Sequence, residues 1–474
     1  MKPFYLSSFL LFCLCSPVSG QLVDQIGDHV EGVTRELERV GDDVQDQVRQ
    51  VAEDELARSS LVANPLDDSP LLDNPLTDAL DRTVTMVGQT AQGVTSALVA
   101  SLPIVNRRGD TVLVEVRVDD NWRAVEREWL MLMDAGGMKV LVDLDVEVIE
   151  QSEYAGLGLQ LVRFRVPAGL DSVAMLKQHL PRHLHDQLDR NHIYVPQADN
   201  KSVTSNRSAN PSLSHKIDAP AATCSQPVRV GMIDTAIHTQ HPAFAQSQSR
   251  IESKDFAGDG FEAPRAHGTA VAGILVGRHE QLIPLLPAAR LFAASVFYPR
   301  NEYTQGATMI NLVRALNWLV EQKVIVINMS LAGPDNKILA LAIQKTIQSG
   351  IAITAAAGNE GPAAPPAYPA AYPDVIAVTA VDNAQKIYRW ANRGAYIDFA
   401  AIGVGVLTAR STGELGKETG TSMAAPKVTA AVACIANGTQ QPLPAMLEAL
   451  KQHVIDLGAP GRDPVFGDGL LNSF

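Results

Sequence analysis

Apolar positions fall into three regimes along this chain. Between 22 and 62 they form a narrow stripe of Val23, Ile26, Val30, Val33, Leu37, Val40, Val44, Val48 and Val51. Steps alternating between three and four place them on one helix face, close to a heptad seam. Such a stripe suits either a helix lying on its own downstream domain or a coiled-coil partner. Gly27, Gly32 and Gly41 interrupt it, each costing about 1 kcal/mol relative to alanine. In NPLDDSPLLDNPL, Pro65, Pro70 and Pro75 exclude a regular helix and predict an extended linker. A second, weakly amphipathic segment runs from Thr77 to Leu102.

The second regime begins at 103. Val112 to Val118 alternates as a strand does. Asn121 to Asp134 reads as a helix with Trp122, Val125, Trp129 and Leu132 on one side. Strand-like runs at Val146–Ile149 and Leu159–Val166 follow, then a helix at Ser172–Leu184 and a short strand at Asn191–Val195. The order β-α-β-β-α-β predicts a ferredoxin-like α+β unit. Residues 198–227 are rich in Ser, Asn, Ala and Pro and read as a surface linker. In the third regime, VRVGMID, RLFAASVF, VIVINMS, IAITAAAG and VIAVTAV alternate with helical segments. Strands apolar on both sides and separated by helices predict an α/β fold, a parallel sheet covered on both faces. Asp234, Ser330 and Asn359 fall at or just after the ends of three of these runs, where such sheets bind ligands.

Composition adds little to the core reading and more at the ends. The chain has 474 residues, with 39 Lys+Arg against 52 Asp+Glu. That balance argues against a nucleic-acid partner, which demands clustered basic residues. The acid is local: residues 21–100 carry 16 Asp/Glu and 5 Lys/Arg, so it says little about a substrate. The first twenty residues place one Lys, an apolar run from Phe4 to Cys15, then small residues including Val18 and Gly20. This is the layout of a secretory signal peptide, too short to span a bilayer. Secreted or periplasmic export without a membrane span is the expectation. Cleavage would leave Cys224 and Cys434, whose pairing the sequence leaves open.

Candidate chemistry sits in four motifs: VGMIDTAI around Asp234, HGTAVAG from His267, AAAGNEGP around Asn359 and GTSMAAP around Ser422. A serine hydroxyl is a weak nucleophile until a neighbouring base takes its proton. Histidine titrates in the right range, and a buried carboxylate fixes its tautomer. Ser422 opens an apolar helical run, Met423 to Ile435, with Pro426 in its first turn. Its hydroxyl and amide therefore lie where a helix dipole favours negative charge. The Asn359 amide and the Ser422 backbone N–H could together hold an oxyanion. Each motif alone is weak, since a lone Asp after a strand is usually a turn residue and a lone HGT a helix start.

Together and in this order they resemble the subtilisin-like serine peptidases (subtilases), over about 250 residues from Val228 onward. The resemblance implies that Asp234 orients, His267 is general acid/base, Ser422 is the nucleophile and Asn359 an oxyanion donor. It makes Ser330, Leu331, Ala332 and Gly333, with Glu360 and Ala367, the substrate-binding wall. It also makes 103–197 an inhibitory pro-domain whose last strand, HIYVPQ, lies at the active site until cut. Ala236 and Ala270 depart from the usual motif residues without touching the chemistry.

The expected organisation is a signal peptide at 1–20, an acidic, mostly helical extension at 21–102, the pro-domain at 103–197, a linker at 198–227 and a catalytic domain at 228–474. The expected function is an exported, self-processing serine endopeptidase acting on proteins or peptides. Rivals are a peptidase dedicated to one partner and a vestigial copy serving extracellular binding or assembly. No cofactor is expected. At the family's usual calcium position, His241-Pro242 is followed by Ala243 and Phe244, and GRHEQLIPLLPAA offers few side-chain oxygens. His238 and His241 are expected to be ordinary polar residues. The methyl groups of Ala332 and Ala367 predict a preference for small to medium apolar residues on the acyl side of the cut.

Overall fold

Two-sided burial is the main organiser of this molecule. The computed structural model describes residues 101–118, 122–133, 135–197, 224–258, 260–301, 304–436 and 442–472. The expected signal peptide at 1–20, residues 21–100 of the expected extension and residues 198–223 of the expected linker lie outside the described residues.

Upstream, β1 (Ser101–Val105), β2 (Thr111–Arg117), β3 (Arg123–Leu132), α1 (Ala135–Asp143), β4 (Glu147–Tyr154), β5 (Leu159–Arg165), α2 (Val173–His179) and β6 (Leu188–Pro196) succeed one another. β3 pairs with β6 on one side and β5 on the other, and β4 closes the far edge, all antiparallel. The β1–β2 hairpin joins the first residues of β3. The β-α-β-β-α-β order is present, but it starts at β3. The expected helix at 121–134 is this strand, the expected helix at 172–184 ends at His179, and Ser101 and Leu102 belong to β1 rather than to the extension.

The misreading of β3 has a physical cause. Trp129 and Met131 pack with Leu141, Phe164 and Leu176 of the unit's own core. Leu130 faces the other way, into a core shared with the downstream helices. Burial on both faces removes the polar alternation that marks a strand. A register shift between Ala124 and Trp129, with Arg127 at φ 57°, leaves Trp122, Val125, Trp129 and Leu132 at a helix-like spacing.

Residues 224–472 contribute β7 (Arg229–Asp234), β8 (Ile251–Asp255), α3 (Ala266–Val276), β9 (Arg290–Ser295), β10 (Tyr298–Pro299), β11 (Gln305–Thr308), α4 (Met309–Glu321), β12 (Val326–Met329), β13 (Leu331–Ala332) and α5 (Lys337–Gln348). They continue with β14 (Ala352–Ala356), β15 (Ile376–Val381), β16 (Phe399–Ile402), β17 (Val406–Ala409), β18 (Leu415–Glu418), α6 (Thr421–Ala436), α7 (Leu443–Lys451), β19 (Val454–Ile455) and β20 (Leu470–Leu471). The large sheet runs β19-β20-β16-β15-β14-β12-β7-β9-β8. It is parallel except for the β19–β20 pair, so it is mixed rather than wholly parallel. Val230, Met232, Val326, Ile376 and Val378 pack under α3 and α6. Their neighbours Ile233, Ile327, Ile353 and Ala377 pack under α4 and α5.

The upstream sheet covers α4 and α5. Leu130, Leu159, Leu161 and Tyr194 join the same cluster as Met309, Ile310 and Ile338. Each helix also borrows a partner for its first N–H groups: Asn191 Oδ1 accepts from Ile310 N at 3.1 Å, and Asp189 Oδ2 from Lys337 N at 2.8 Å.

Candidate active site

Asp234 is the last residue of β7 and fully buried, so the sheet delivers its carboxylate to the carboxyl edge. His267 is the second residue of α3, and its Nδ1 lies 2.7 Å from Asp234 Oδ1. Thr235 N donates to the same oxygen at 2.6 Å. Burial alone would lower the imidazole pKa, but the Asp234 charge and hydrogen bond outweigh it and hold His267 above its ordinary value. The other ring nitrogen, Nε2, is buried without a hydrogen bond. The histidine is held at one nitrogen and free at the other, as a general base must be. The following glycine is required: a Cβ on Gly268 would stand 2.2 Å from the Thr235 carbonyl oxygen.

Ser422 is the second residue of α6 and Asn359 lies just beyond β14. Thr421 N and Oγ1 each donate to Asn359 Oδ1 at 3.0 Å, which turns the Nδ2 donor toward the serine. Pro426 is the sixth residue of α6, deeper than the first turn the sequence suggested. Lacking an N–H, it leaves the Ser422 carbonyl without its helical partner. Ser330 Oγ donates to that carbonyl at 3.2 Å and itself accepts from Asn328 Nδ2 at 2.9 Å. Ser330, expected only as substrate wall, thus also holds the Ser422 carbonyl. Pro426 inside the helix was the sequence signal for it.

The site is occupied by the chain's own residues. β6 pairs antiparallel with β13, Pro196 opposite Leu331 and Val195 opposite Ala332, and Gln197 N donates to Ser330 O at 3.2 Å. This brings the Gln197 carbonyl oxygen to 3.0 Å from Asn359 Nδ2 and 2.5 Å from Ser422 Oγ. The Ser422 hydroxyl is the second donor to that oxygen. Upstream, Tyr194 is fully buried, donates to Pro334 O at 2.9 Å and lies across Gly333, where a Cβ would meet its ring at 2.3 Å. Gln197 itself lines a small, mainly apolar cavity with Val195, Ala332, Glu360, Pro366, Ala367 and Asn392. Ser330, Leu331 and Ala332 pair with this strand, Gly333 lies under the Tyr194 ring, Glu360 accepts from Gln197 Nε2, and Ala367 lines the same cavity as Gln197.

His238 Nδ1 lies 2.9 Å from Ser411 O, and His241 Nε2 lies 3.0 Å from Glu414 O, so both tie a loop to the β17–β18 hairpin. Among the described residues, no three His, Cys, Asp or Glu side chains converge on a point that could hold a metal ion. None of the described helices is long and apolar enough to cross a membrane. Cys224 and Cys434 are both free thiols.

Comparison with known families matches residues 225–469 to the subtilase family. The major intracellular serine protease of Bacillus subtilis (strain 168) is 35% identical over 221 residues, 44% of this chain and 68% of that protein. Subtilisin of Bacillus pumilus is 32% identical over 216 residues, 44% of this chain and 76% of its own. The minor extracellular protease Epr of Bacillus subtilis (strain 168) is 29% identical over 215 residues, again 44% of this chain but only 33% of its own length. Residues 101–197 fall outside the matched span. On the extent of that match, the chain belongs to the subtilase family of serine endopeptidases.

Proposed function

We propose that this protein is an exported serine endopeptidase made as a zymogen that cuts itself between Gln197 and Ala198. The observation that carries the reading is the Gln197 carbonyl, lying between Asn359 Nδ2 and Ser422 Oγ. In the proposed reaction, Ser422 Oγ attacks that carbonyl carbon and passes its proton to His267 Nε2. Asn359 Nδ2 stabilises the oxyanion, and Asp234 steadies the imidazolium. The imidazolium then protonates the Ala198 nitrogen, which departs as an amine. Water, deprotonated by His267, releases the Gln197 carboxylate and restores Ser422. Tethering gives the first cut a large effective concentration. Residues 101–197 act as the inhibitory pro-domain, and residues 21–100 leave with them.

Proteins or peptides are the substrates in trans, and the chemistry requires no cofactor, calcium at 277–289 included. Relatives act outside the cell and inside it by their names, so export rests on the leader at 1–20. The test is mass spectrometry of the expressed full chain. Wild type should yield a fragment starting at Ala198, while Ser422→Ala should persist as precursor. Purified Ser422→Ala precursor that converts unaided would overturn the reading.

A further inference from the structure

Resting on that reading, the geometry points to a more specific substrate class: we infer that the pocket selects glutamine on the acyl side of the scissile bond. Gln197 is 3% exposed, and both ends of its carboxamide are engaged. Oε1 accepts from the Asn359 backbone N–H at 2.9 Å, and Nε2 donates to Glu360 Oε1 at 3.1 Å. A backbone N–H can only donate, and the Glu360 oxygen here accepts. The two therefore ask for one planar group carrying an acceptor and a donor side by side, which is a primary carboxamide.

The reader is held rigidly. Glu360 N and Gly361 N both donate to Asn392 Oδ1, at 2.9 and 3.2 Å. Gly358 turns the chain at φ +112°, and a Cβ there would stand 2.3 Å from Asn392 Nδ2. Asn359 also links specificity to chemistry, since its N–H reads the side chain while its Nδ2 holds the carbonyl of the same residue. A correct side chain therefore sets the carbonyl in register with Ser422.

Other residues fail for distinct reasons. Glutamate sets a carboxylate against the Glu360 carboxylate. Methionine matches the length but leaves both polar groups without partners. Asparagine, one methylene shorter, cannot reach both at once. Lysine can satisfy Glu360 but offers the Asn359 N–H no acceptor.

The test uses matured enzyme from the full chain and fluorogenic peptides Tyr-Val-Pro-Xaa, with Xaa as Gln, Glu, Met or Lys. Because Glu360 is exposed, we expect kcat/KM for Gln to exceed Met by about tenfold and Glu by about a hundredfold. Glu360→Gln should raise Glu relative to Gln by at least about tenfold, since the new amide can donate to the substrate carboxylate. A Gln-to-Glu ratio within threefold, a preference for Lys or Met, or a ratio unmoved by Glu360→Gln would overturn the inference. Processing at Ala198 alongside flat peptide specificity sinks this inference alone. If neither wild type nor Ser422→Ala processes and no peptide is cut, the peptidase reading falls as well.

Discussion

The two halves of the described chain satisfy their buried polar groups in opposite ways. In the downstream half, the polar chain under Ser422 closes on itself: Asn328, Ser330, Thr354 and Thr429 bond one another and local carbonyls. In the upstream half, buried groups reach across the boundary. Glu115, fully buried on β2, accepts from Tyr298 Oη at 2.9 Å and Arg300 Nε at 2.7 Å. Asn191 binds Glu128 on its own sheet but also caps α4. Glu150 pairs with Arg314 of α4. Removing a partner from a buried charge leaves its desolvation uncompensated. The upstream half is thus built for the surface it covers, while the downstream half carries the machinery whole.

The sharpest way to break that comparison is inside the downstream machinery. Asp234→Asn keeps the shape but removes the charge that holds His267 above its ordinary pKa. The loss should be about 10⁴ in kcat, as found when the carboxylate of such a triad becomes an amide. The pH profile supplies the sign. The base must be neutral, so in wild type activity rises through a pKa above the ordinary histidine value of about 6.5. In Asp234→Asn, the lowering effect of burial loses its main opponent, and the acid limb of kcat/KM should move to lower pH than in wild type. A limb unmoved in the variant would remove Asp234 from the electrostatics of His267.

Asn359→Ala comes next. It deletes the 3.0 Å donor to the Gln197 carbonyl and the acceptor of Thr421 N and Oγ1, while Asp234, His267 and Ser422 keep their side chains. Both self-processing and peptide hydrolysis should slow by about 10²–10³, a magnitude known from the corresponding donor of subtilisin, itself a subtilase. If processing slowed while peptide hydrolysis did not, Asn359 would be holding the upstream half rather than the transition state.

Gly333→Ala tests the seam between the halves. Its new methyl would stand 2.3 Å from the Tyr194 ring, and overpacking of that kind costs about 1–3 kcal/mol. Peptides with Tyr at the fourth position before the cut should lose about tenfold to a hundredfold relative to Ala there, while Ala-containing peptides change little. Equal losses for both would place the effect in the fold instead of the subsite.

How far the sequence carried the reader follows the same division. Asp234, His267, Asn359 and Ser422 were legible because each stands at the end of a strand or the start of a helix that hydrophobic pattern alone predicts. The sheet strands were legible for the same reason, being apolar on both sides. β3 was not, because its second buried face belongs to another part of the chain and erased the alternation. The glutamine-holding pocket was not legible either. Ala332 and Ala367 pointed to a small apolar slot, and nothing local shows that Asn359 N and Glu360 converge on the carboxamide of a residue more than 160 positions upstream. Ser330's bond to the Ser422 carbonyl was implicit in Pro426, but only once the helix start was fixed at Thr421.

The smallest effect should be the most selective. Asn191→Ala removes the cap on Ile310 N and one of two bonds to Glu128, which retains Arg163 at 3.2 Å. Loss of a helix cap typically costs about 0.5–2 kcal/mol. Made in uncut Ser422→Ala precursor, where the halves cannot separate by cleavage, this change should lower amide-exchange protection in β3, β5 and β6 by that amount. Protection in β7, β14 and β15 should fall less, because their ladder bonds run to one another and to β9, β12 and β16 rather than to the upstream sheet. If those central strands lost protection equally, the two halves would unfold as one unit, and the contrast between a borrowed and a self-contained interior would not hold.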